Sequence, residues 1–286
     1  MAENGKIRKD GADMFSTYTY AAIDVAREAG RLLLSLQSQP LKVSYKGARD
    51  LVTQVDRAAE RLIIGALRER FPDHAFLAEE EVREEGEIRW IIDPIDGTTN
   101  YAHGLPLFAV SIALEIRGEV STGVVFIPAL NEMFVAEQGK GAHLDDGRTF
   151  VPLKTLSLYS PWRRIRVSSV KDLRESVLST GLPYDVWETG RNLDHLVRLC
   201  RRAQAVRLTG AAAIQLAYVA CGRLDGFWEP DLKPWDVAAG SLLVKEAGGT
   251  VTLLDGSPFT HHGGEVLATN GRIHEQLLAV LREKQI

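Results

Sequence analysis

The segment from Trp90 to Asn100, with the sequence WIIDPIDGTTN, constrains this chain more than any other part of it. The apolar run before Asp93 predicts a buried strand, and the Pro-x-Asp-Gly sequence predicts that the chain leaves the strand there. Two carboxylates at a strand end, beside a Gly-Thr-Thr turn that bares backbone N–H groups, suit cations and an anion together. A lone Asp-Gly pair would indicate an ordinary turn, whereas this combination favours a functional site.

Composition narrows the class of protein. The chain has 286 residues, of which 45% are hydrophobic and 25% charged, as in soluble globular enzymes. Its net charge is −4, and no basic run is large enough to predict a nucleic-acid partner. No apolar run is long enough to span a bilayer, so we expect no membrane partner. Cys200 and Cys221 are the only cysteines and lack metal or redox spacing, which favours a cytoplasmic location.

Hydrophobic periodicity predicts two packed halves. Residues 1–16 are polar and predict a flexible leader, and a Gly-rich turn at 139–141 separates an N-terminal α+β half (17–142) from a C-terminal α/β half (143–286). In the first half we expect helices at 18–37 and 57–70, and strands within 42–54 and at 75–78, 90–92, 108–116, 120–127 and 132–137. In the second half we expect strands and helices in alternation, at 166–168, 172–176, 192–202, 205–207, 211–221, 226–228, 236–247 and 249–253.

Acidic residues stand at four predicted element ends. Each has a structural explanation: Glu79 to Glu81 as a solvated loop, Asp56 as a helix N-cap, and Asp236 as an acid favoured by a helix dipole. If these acids converge with Asp93 and Asp96, like charges about 4 Å apart repel by roughly 4 kcal/mol at an effective dielectric of about 20. Cations must then accompany them, so the functional interpretation depends on the whole set.

The ligand types favour a hard cation. The motifs contain carboxylates without His or Cys, which favours magnesium over zinc. Magnesium held by carboxylates keeps positions for water and phosphate oxygens. The Gly97-Thr98-Thr99 turn would supply N–H groups and a hydroxyl to that phosphate. The Gly210-Ala211-Ala212 turn offers a second set of donors, or simply a closely packed helix start. Together these features predict a metal-assisted phosphatase.

Four motifs resemble those of the inositol monophosphatase family of magnesium-dependent, lithium-sensitive sugar phosphatases. They span the chain from about Tyr18 to its end, and such a combination rarely arises by chance. The matching segments are WIIDPIDGTTN at 90–100, WDVAAG at 235–240 followed by EAGG at 246–249, FLAEE at 76–80 and DLVTQVD at 50–56.

The resemblance implies a role for each matching residue. Glu79, Asp93 and the backbone carbonyl of Ile95 would hold a first magnesium ion. Asp93, Asp96 and Asp236 would hold a second, among two or three ions in all.

The catalytic and substrate-binding roles follow from the same resemblance. Thr98, oriented by Asp56, would activate the attacking water, and Glu80 would support a water beside the metal. The N–H groups of Gly97 and Thr98 would bind phosphate. The resemblance places further substrate contacts at Asp96, Gly210, Ala211, Ala212, Glu229 and Asp236.

Two departures from the family pattern limit this transfer. The family commonly has Thr or Ser where this chain has Ala211, so a hydroxyl near the phosphate is missing. The chain also carries roughly a dozen extra residues within 145–164, including Tyr159, Pro161 and Trp162, and insertions of this length are commonly functional or disordered. His103 follows the first motif, but a structural role is the better interpretation.

These observations predict a magnesium-dependent phosphatase with the five-layered αβαβα sandwich of the family. We expect the protein to be a homodimer. The expected substrate is a small polyol or sugar monophosphate, foremost myo-inositol 1-phosphate. Fructose 1,6-bisphosphate, histidinol phosphate or another small ester remains an alternative for the same chemistry. An alternative from a different class is a non-catalytic regulatory or interaction protein on the same scaffold, which loss of a metal-binding position would favour.

Overall fold

A computed structural model describes residues 14–37, 43–45, 51–147 and 162–283, without the side chains of 43–45 and 51–53. The helices are α1 (Thr17–Gln37), α2 (Gln54–Arg70), α3 (Thr98–Ala102), α4 (Val186–Thr189), α5 (Leu193–Cys200), α6 (Ala212–Ala220), α7 (Pro234–Glu246) and α8 (His274–Leu281). The strands are β1 (Val43–Tyr45), β2 (Leu51–Thr53), β3 (Ala75–Ala78), β4 (Ile88–Asp96), β5 (Ala109–Ile116), β6 (Glu119–Ile127), β7 (Glu132–Glu137), β8 (Gly141–Asp145), β9 (Arg163–Arg164), β10 (Val177–Thr180), β11 (Ala205–Arg207), β12 (Gly226–Leu232), β13 (Thr250–Thr252) and β14 (Gly264–Thr269).

Two sheets organise the described part of the chain. The larger has seven strands in the order β3-β4-β5-β6-β7-β8-β9, and only its β3–β4 pair is parallel. The smaller has five strands in the order β11-β10-β12-β14-β13, with β10 parallel to both of its neighbours. Strands β1 and β2 form a separate antiparallel pair. Strand β8 crosses the predicted boundary at residue 142 and pairs with β7, so both predicted halves contribute to the larger sheet.

Alternating side chains divide the core into three layers. In β4, Trp90 and Ile92 face α1 and α2, whereas Ile91 faces the opposite side, where α6 and α7 pack. In β12, Phe227 joins that central layer and Trp228 faces α5 and α8. The order of layers is therefore helices, large sheet, helices, small sheet, helices. The predicted αβαβα sandwich is confirmed.

Several predicted boundaries were wrong. Helix α2 begins at Gln54, so Asp56 lies inside its first turn and is not an N-cap. Strand β4 continues through the motif to Asp96, whereas the predicted strand ends at residue 92. Residues 166–168 form no strand, and β10 follows a single 3₁₀ turn at Leu173–Glu175. The periodicity did not predict β14 or α8.

The segments that flank the core have different outcomes. Residues 1–13 of the predicted leader lie outside the described residues, while Phe15 is buried and packs edge-on against His143 and Trp162. Most of the extra segment, including Tyr159 and Pro161, also lies outside them. The Trp162 ring centroid lies 6.0 Å from the Arg27 guanidinium, so this end of the segment contacts α1. Among the described helices, none has the length and apolar character needed to cross a bilayer.

Candidate active site

Most of the predicted site residues line one cleft. It has a volume of about 720 Å³ and lies where β4, β12 and the first turns of α6 and α7 meet. The predicted residues on its walls are Glu79, Asp93, Ile95, Asp96, Gly97, Thr98, Gly210, Ala211, Ala212, Glu229 and Asp236. Asp56 and Glu80 are not on the walls: Asp56 is fully buried behind Thr98, and Glu80 is half-buried in the turn after β3.

An irregularity in β4 brings two carboxylates to the same cleft. Asp93 and Asp96 are separated by an odd number of positions, and in a regular strand such residues point to opposite faces. The register of β4 against β5 shifts between Asp93, which pairs with Ser111, and Asp96, which pairs with Ala109. Pro94 lies inside this irregularity and has no N–H to donate to a ladder. The motif therefore places both acids on the cleft wall.

The turn after β4 requires glycine. Gly97 has a φ of 91°, in the left-handed region, and a Cβ there would lie 2.9 Å from the carbonyl oxygen of Leu107. The same Cβ would lie 3.3 Å from the carbonyl oxygen of Gly210. The two predicted phosphate-binding turns are thus in direct contact. Asn100 holds them together, because its side-chain amide donates to the carbonyls of Leu107 and Thr209, both at 2.7 Å.

The hydroxyl of Thr98 lies between two oxygen acceptors. Its Oγ1 is 3.0 Å from Oδ1 of Asp56 and 3.1 Å from the carbonyl oxygen of Ile95. A hydroxyl has one hydrogen to donate and two lone pairs that can accept one. Thr98 can therefore donate to the buried carboxylate while accepting a hydrogen bond from a water in the cleft.

A buried residue that the sequence analysis missed holds the acidic turn after β3. Glu60, on α2, is 1% exposed, and its carboxylate accepts the N–H of Glu80 at 2.7 Å and that of Glu81 at 2.8 Å. The N–H of Glu79 donates to the carbonyl oxygen of Ile92 at 3.2 Å, because β3 is parallel to β4. These bonds fix the turn on both sides, and Glu79 lies beside the strand that carries Asp93.

The two helix starts at the cleft also engage its carboxylates. The N–H groups of Ala212 and Ala213 donate to Asp96 at 3.1 Å and 2.8 Å. The predicted second set of phosphate donors is therefore directed at a carboxylate in this structure. Asp236 accepts the N–H of Lys233 at 2.6 Å, so it caps α7 and lines the cleft at once. Its structural and functional interpretations are compatible.

Charge repulsion and burial act together in the cleft. Burial raises the pKa of Asp93 well above its usual range, and the charges of Glu79, Asp96 and Asp236 raise it further. Burial also raises the pKa of Asp96 to about 7, although the first three N–H groups of α6 oppose this effect. Burial and the charges of Asp236 and Asp96 raise the pKa of Glu229 well above its ordinary value. A bound cation would relieve each of these penalties.

The donor set fits a hard divalent cation. Four carboxylates converge on the inner cleft, and within the described ranges no His or Cys side chain lines its walls. Oxygen-only sites are typical of magnesium and calcium, whereas zinc prefers nitrogen and sulfur. The residues that could hold such ions are Glu79, Asp93, Asp96, Asp236 and the carbonyl of Ile95.

A tighter group of potential metal ligands lies elsewhere. The ligand atoms of Glu115, His261 and His262 are within 4.8 Å of one another, and no other three such side chains are this close in the part of the chain that the structure describes. Burial opposes the charge of Glu115, but a hydrogen bond from His261 and the charge of Arg89 hold its pKa below the ordinary value. The Arg89 guanidinium lies 3.2 Å away and neutralises this carboxylate. The group is therefore satisfied without a metal.

Gly181, which the sequence analysis missed, leaves room for the side chain of Glu229 in the cleft. Glu229 is half-buried on β12, and a Cβ on Gly181 would overlap its carboxylate. Gly181 follows β10, the parallel neighbour of β12, so any larger residue there would displace the carboxylate. The cleft is also lined by Arg83, Lys233 and Trp235. Only Trp235 belongs to a motif, the WDVAAG segment.

The fold and this cleft together define the class of the protein, a phosphoric monoester hydrolase, and comparisons with known proteins agree. The model of the inositol monophosphatase family matches residues 14–285. The chain is 42% identical to an inositol-1-monophosphatase of Mesorhizobium japonicum, over 91% of this chain and 94% of that protein. It is 40% identical to the Nus factor SuhB of Escherichia coli, over 92% and 95% of the two chains.

Two further relatives come from other bacteria. The chain is 40% identical to a fructose-1,6-bisphosphatase/inositol-1-monophosphatase of Thermotoga maritima, over 92% of this chain and 94% of that protein. A solved structure of the extragenic suppressor protein suhB from Bartonella henselae superposes with a TM-score of 0.85 and 39% identity, covering 94% of this chain and all of that one. The chain therefore belongs to the inositol monophosphatase family, whose members are generally metal-dependent phosphatases of small phosphate esters.

Proposed function

We propose that this protein is a magnesium-dependent phosphomonoesterase that releases inorganic phosphate from a small polyol or sugar monophosphate, foremost myo-inositol 1-phosphate. One observation carries the proposal. The four carboxylates Glu79, Asp93, Asp96 and Asp236 interact in a cleft that offers no neutralising His or Cys ligand among the described residues, directly beside the Gly97–Thr98 turn. A phosphate ester in that cleft requires cations between itself and the carboxylates.

The metal-binding roles are inferred from the family's motifs and supported by the interacting carboxylates of the cleft. Glu79, Asp93 and the Ile95 carbonyl would hold one ion, and Asp93, Asp96 and Asp236 would hold a second, within a set of two or three. Bound there, magnesium supplies Lewis-acid stabilisation of the phosphoryl oxygens and lowers the pKa of a nearby water. Because Asp93 would contribute to both ion sites, its loss should be the most damaging single change in the set.

The chain's own residues then position and deprotonate the water. Thr98 Oγ1 accepts a hydrogen bond from the water and passes its own proton toward Oδ1 of Asp56, 3.0 Å away. The water oxygen forms the new bond to phosphorus as the bond to the alcohol oxygen breaks. The leaving oxygen takes a proton from a second water in the cleft, and the proton held by Asp56 returns through Thr98 to the hydroxide that remains. Glu80 would support a water beside the metal, and the N–H groups of Gly97 and Thr98 would bind the phosphate.

Substrate hydroxyls meet the outer part of the cleft. Glu229 accepts or donates hydrogen bonds to them, and Asp96, Asp236 and the turn from Gly210 to Ala212 line the same space. The alternative for the same chemistry is a bisphosphate or another small ester. It is supported by the Thermotoga maritima relative, whose name combines both activities.

A second function, of a different class, is that of a non-catalytic regulatory or interaction protein. The name of the Escherichia coli relative, a Nus factor, favours it. The cleft argues for catalysis instead, because every predicted carboxylate ligand is retained and lines one wall. An interaction protein would have no need to keep this group of repelling charges.

The proposal extends to assembly, location and inhibition. We infer a homodimer, supported by large apolar side chains exposed within residues 184–208, among them Trp187 at 58% and Tyr184 at 59% exposure. We infer a cytoplasmic location, supported by the two free cysteines. We also infer inhibition by lithium, a small hard cation suited to the same oxygen ligands.

A screen for phosphate release tests the proposed function. The protein is assayed with magnesium on sugar, polyol and amino-alcohol phosphates, with and without lithium. We expect release from myo-inositol 1-phosphate that lithium suppresses and that Asp96→Asn abolishes. A protein that releases phosphate from none of these esters would support the interaction function.

A further inference from the structure

We propose that Arg83 forms a second anion-binding subsite, which adds affinity for phosphate esters that carry another anionic group, such as the second phosphate of the alternative bisphosphate substrates. This inference rests on the proposed function and concerns the same cleft. Arg83 is exposed, lines that cleft and follows Glu79 by four residues.

Arg83 is held rigidly for an exposed arginine. Its Nη2 donates to the carbonyl oxygen of Glu79 at 2.7 Å, and its Nη1 donates to that of Val82 at 3.1 Å. Its guanidinium lies over the Trp235 ring, 4.6 Å from the ring centroid. Its backbone is anchored too, because residue 83 forms a bridge with Leu77. A guanidinium that is already ordered loses little further conformational entropy when an anion binds.

The charge of Arg83 has no carboxylate partner among the described residues. Both of its hydrogen bonds go to neutral backbone carbonyls, and no ion pair joins it to an acid in the described ranges. A guanidinium has five N–H groups, so these two contacts leave others for a ligand. Such a cation at the edge of an acidic cleft is suited to a planar, bidentate contact with phosphate or carboxylate.

Basic side chains are scarce on the cleft walls, and Arg83 is one of the few. Among the described residues on the walls, the only basic ones are Arg83 and Lys233, against seven acidic ones. Arg83 contacts the carbonyl of Glu79 and the ring of Trp235, the residue before Asp236. It therefore lies at the rim beside the proposed metal ligands. An ester whose first phosphate sits at the metals would reach it with a second anionic group.

The size of the cleft permits such a ligand. Its volume of about 720 Å³ lies well within the range of small-molecule sites and leaves space beyond one phosphate. Glu229, at the outer part, offers a carboxyl group and no cation, so an anionic group of the ligand finds its cationic partner at Arg83.

The test compares fructose 1,6-bisphosphate with fructose 1-phosphate, which lacks the phosphate on C6. We expect wild-type kcat/KM to favour the bisphosphate by about 10- to 100-fold, the range of a charge-assisted contact. Arg83→Gln removes the charge but keeps hydrogen-bond donors, and Arg83→Ala removes both. Both variants are expected to lose most of the preference through KM, so that kcat/KM falls much further for the bisphosphate than for fructose 1-phosphate.

A matched control removes a nearby arginine outside the cleft. Arg61 lies 3.9 Å from Glu81 and is not on the cleft wall, so Arg61→Ala should keep the preference. Equal losses on both substrates in Arg83→Gln, or a wild-type enzyme without the preference, would overturn the subsite. Failure of the wild type to release phosphate from either ester with magnesium would instead overturn the proposed function.

Discussion

The hydroxyl of Thr98 lies 3.0 Å from the carboxylate of Asp56, which is fully buried on α2. The two residues are 42 positions apart, and the contact joins the turn after β4 to the helix layer behind it. A buried carboxylate that accepts the proton of a hydroxyl makes that oxygen a better acceptor for a water proton. This relay is the part of the proposed mechanism that the chain's own residues perform.

The relay predicts a large effect of removing the hydroxyl. Thr98→Val keeps the shape of the side chain but removes Oγ1, and we expect kcat to fall by about 10²- to 10⁴-fold at saturating magnesium. Thr98→Ser keeps the hydroxyl and should retain most of the activity. Thr99→Val is the matched control, since Thr99 is exposed. A Thr98→Val enzyme with wild-type kcat would remove Thr98 from the mechanism.

Glu60 should control metal affinity through the acidic turn. Glu60→Gln replaces one carboxylate oxygen that accepts the N–H of Glu80 or Glu81 with a donor, so the turn should lose its alignment. We expect magnesium affinity, measured by calorimetry, to weaken by about 10- to 100-fold, as for other residues that orient metal ligands. Glu84→Gln is a suitable control because Glu84 accepts the N–H of Phe76 at the other end of the same hairpin. Equal weakening in both variants would indicate a general loss of structure.

The raised pKa of Asp96 predicts how stability depends on pH in the absence of metal. The pKa of this acid is about 7 when folded and 3.8 in its ordinary state, so the folded chain binds the proton more tightly. The contribution of this group to the free energy of unfolding should therefore fall as pH rises from about 4 to about 7. Denaturant titrations in EDTA measure it.

Two comparisons check the origin of that pH dependence. Magnesium should stabilise the protein more at pH 8 than at pH 5, because binding requires the ionised carboxylates. Asp96→Asn should make the profile in EDTA shallower, since one titrating group is gone while Asp93 and Glu229 remain. If the wild-type profile in EDTA did not fall between pH 4 and 7, the cost of burying the charge of Asp96 would be smaller than proposed.

Position 97 should require glycine for two reasons, its positive φ and its close approach to a neighbouring carbonyl. A Cβ in Gly97→Ala would lie 2.9 Å from the Leu107 carbonyl, whereas a Cβ in Gly104→Ala would meet no atom within 4 Å. Both glycines have positive φ values, so both variants carry backbone strain of about 1–3 kcal/mol. We expect Gly97→Ala alone to lose activity as well as stability. Similar kcat values in the two variants would contradict the close approach of the two turns.

Contiguous motifs made part of the cleft wall predictable from sequence. Asp93, Asp96, Gly97 and Thr98 fall within a few residues of one another, and all four line the cleft. The convergence of Glu79 and Asp236 with them depended on the family resemblance, because the chain separates these acids by more than a hundred residues. The layered fold was also predictable from the family resemblance, which implies it.

Contacts between distant segments were not predictable in this way. Glu60 cannot be distinguished from a solvated helix residue by sequence, because a single buried acid has no period that marks it. Gly181 and Asn100 matter through what they touch, namely Glu229 and the Leu107 and Thr209 carbonyls. Strand β4 was predicted too short, since a proline ordinarily ends a strand. Here the register shift accommodates Pro94 and lets the strand continue to Asp96.

The central claim is that the cleft carboxylates hold magnesium for phosphate release, and one titration tests it most directly. Phosphate release from myo-inositol 1-phosphate is measured against magnesium concentration for the wild type and for Asp93→Asn, with folding checked by circular dichroism. We predict no release by the wild type in EDTA, saturable recovery with magnesium, and a loss of at least about 10³-fold in the variant. Release that persists in EDTA, or a folded Asp93→Asn protein with wild-type activity, would contradict the account.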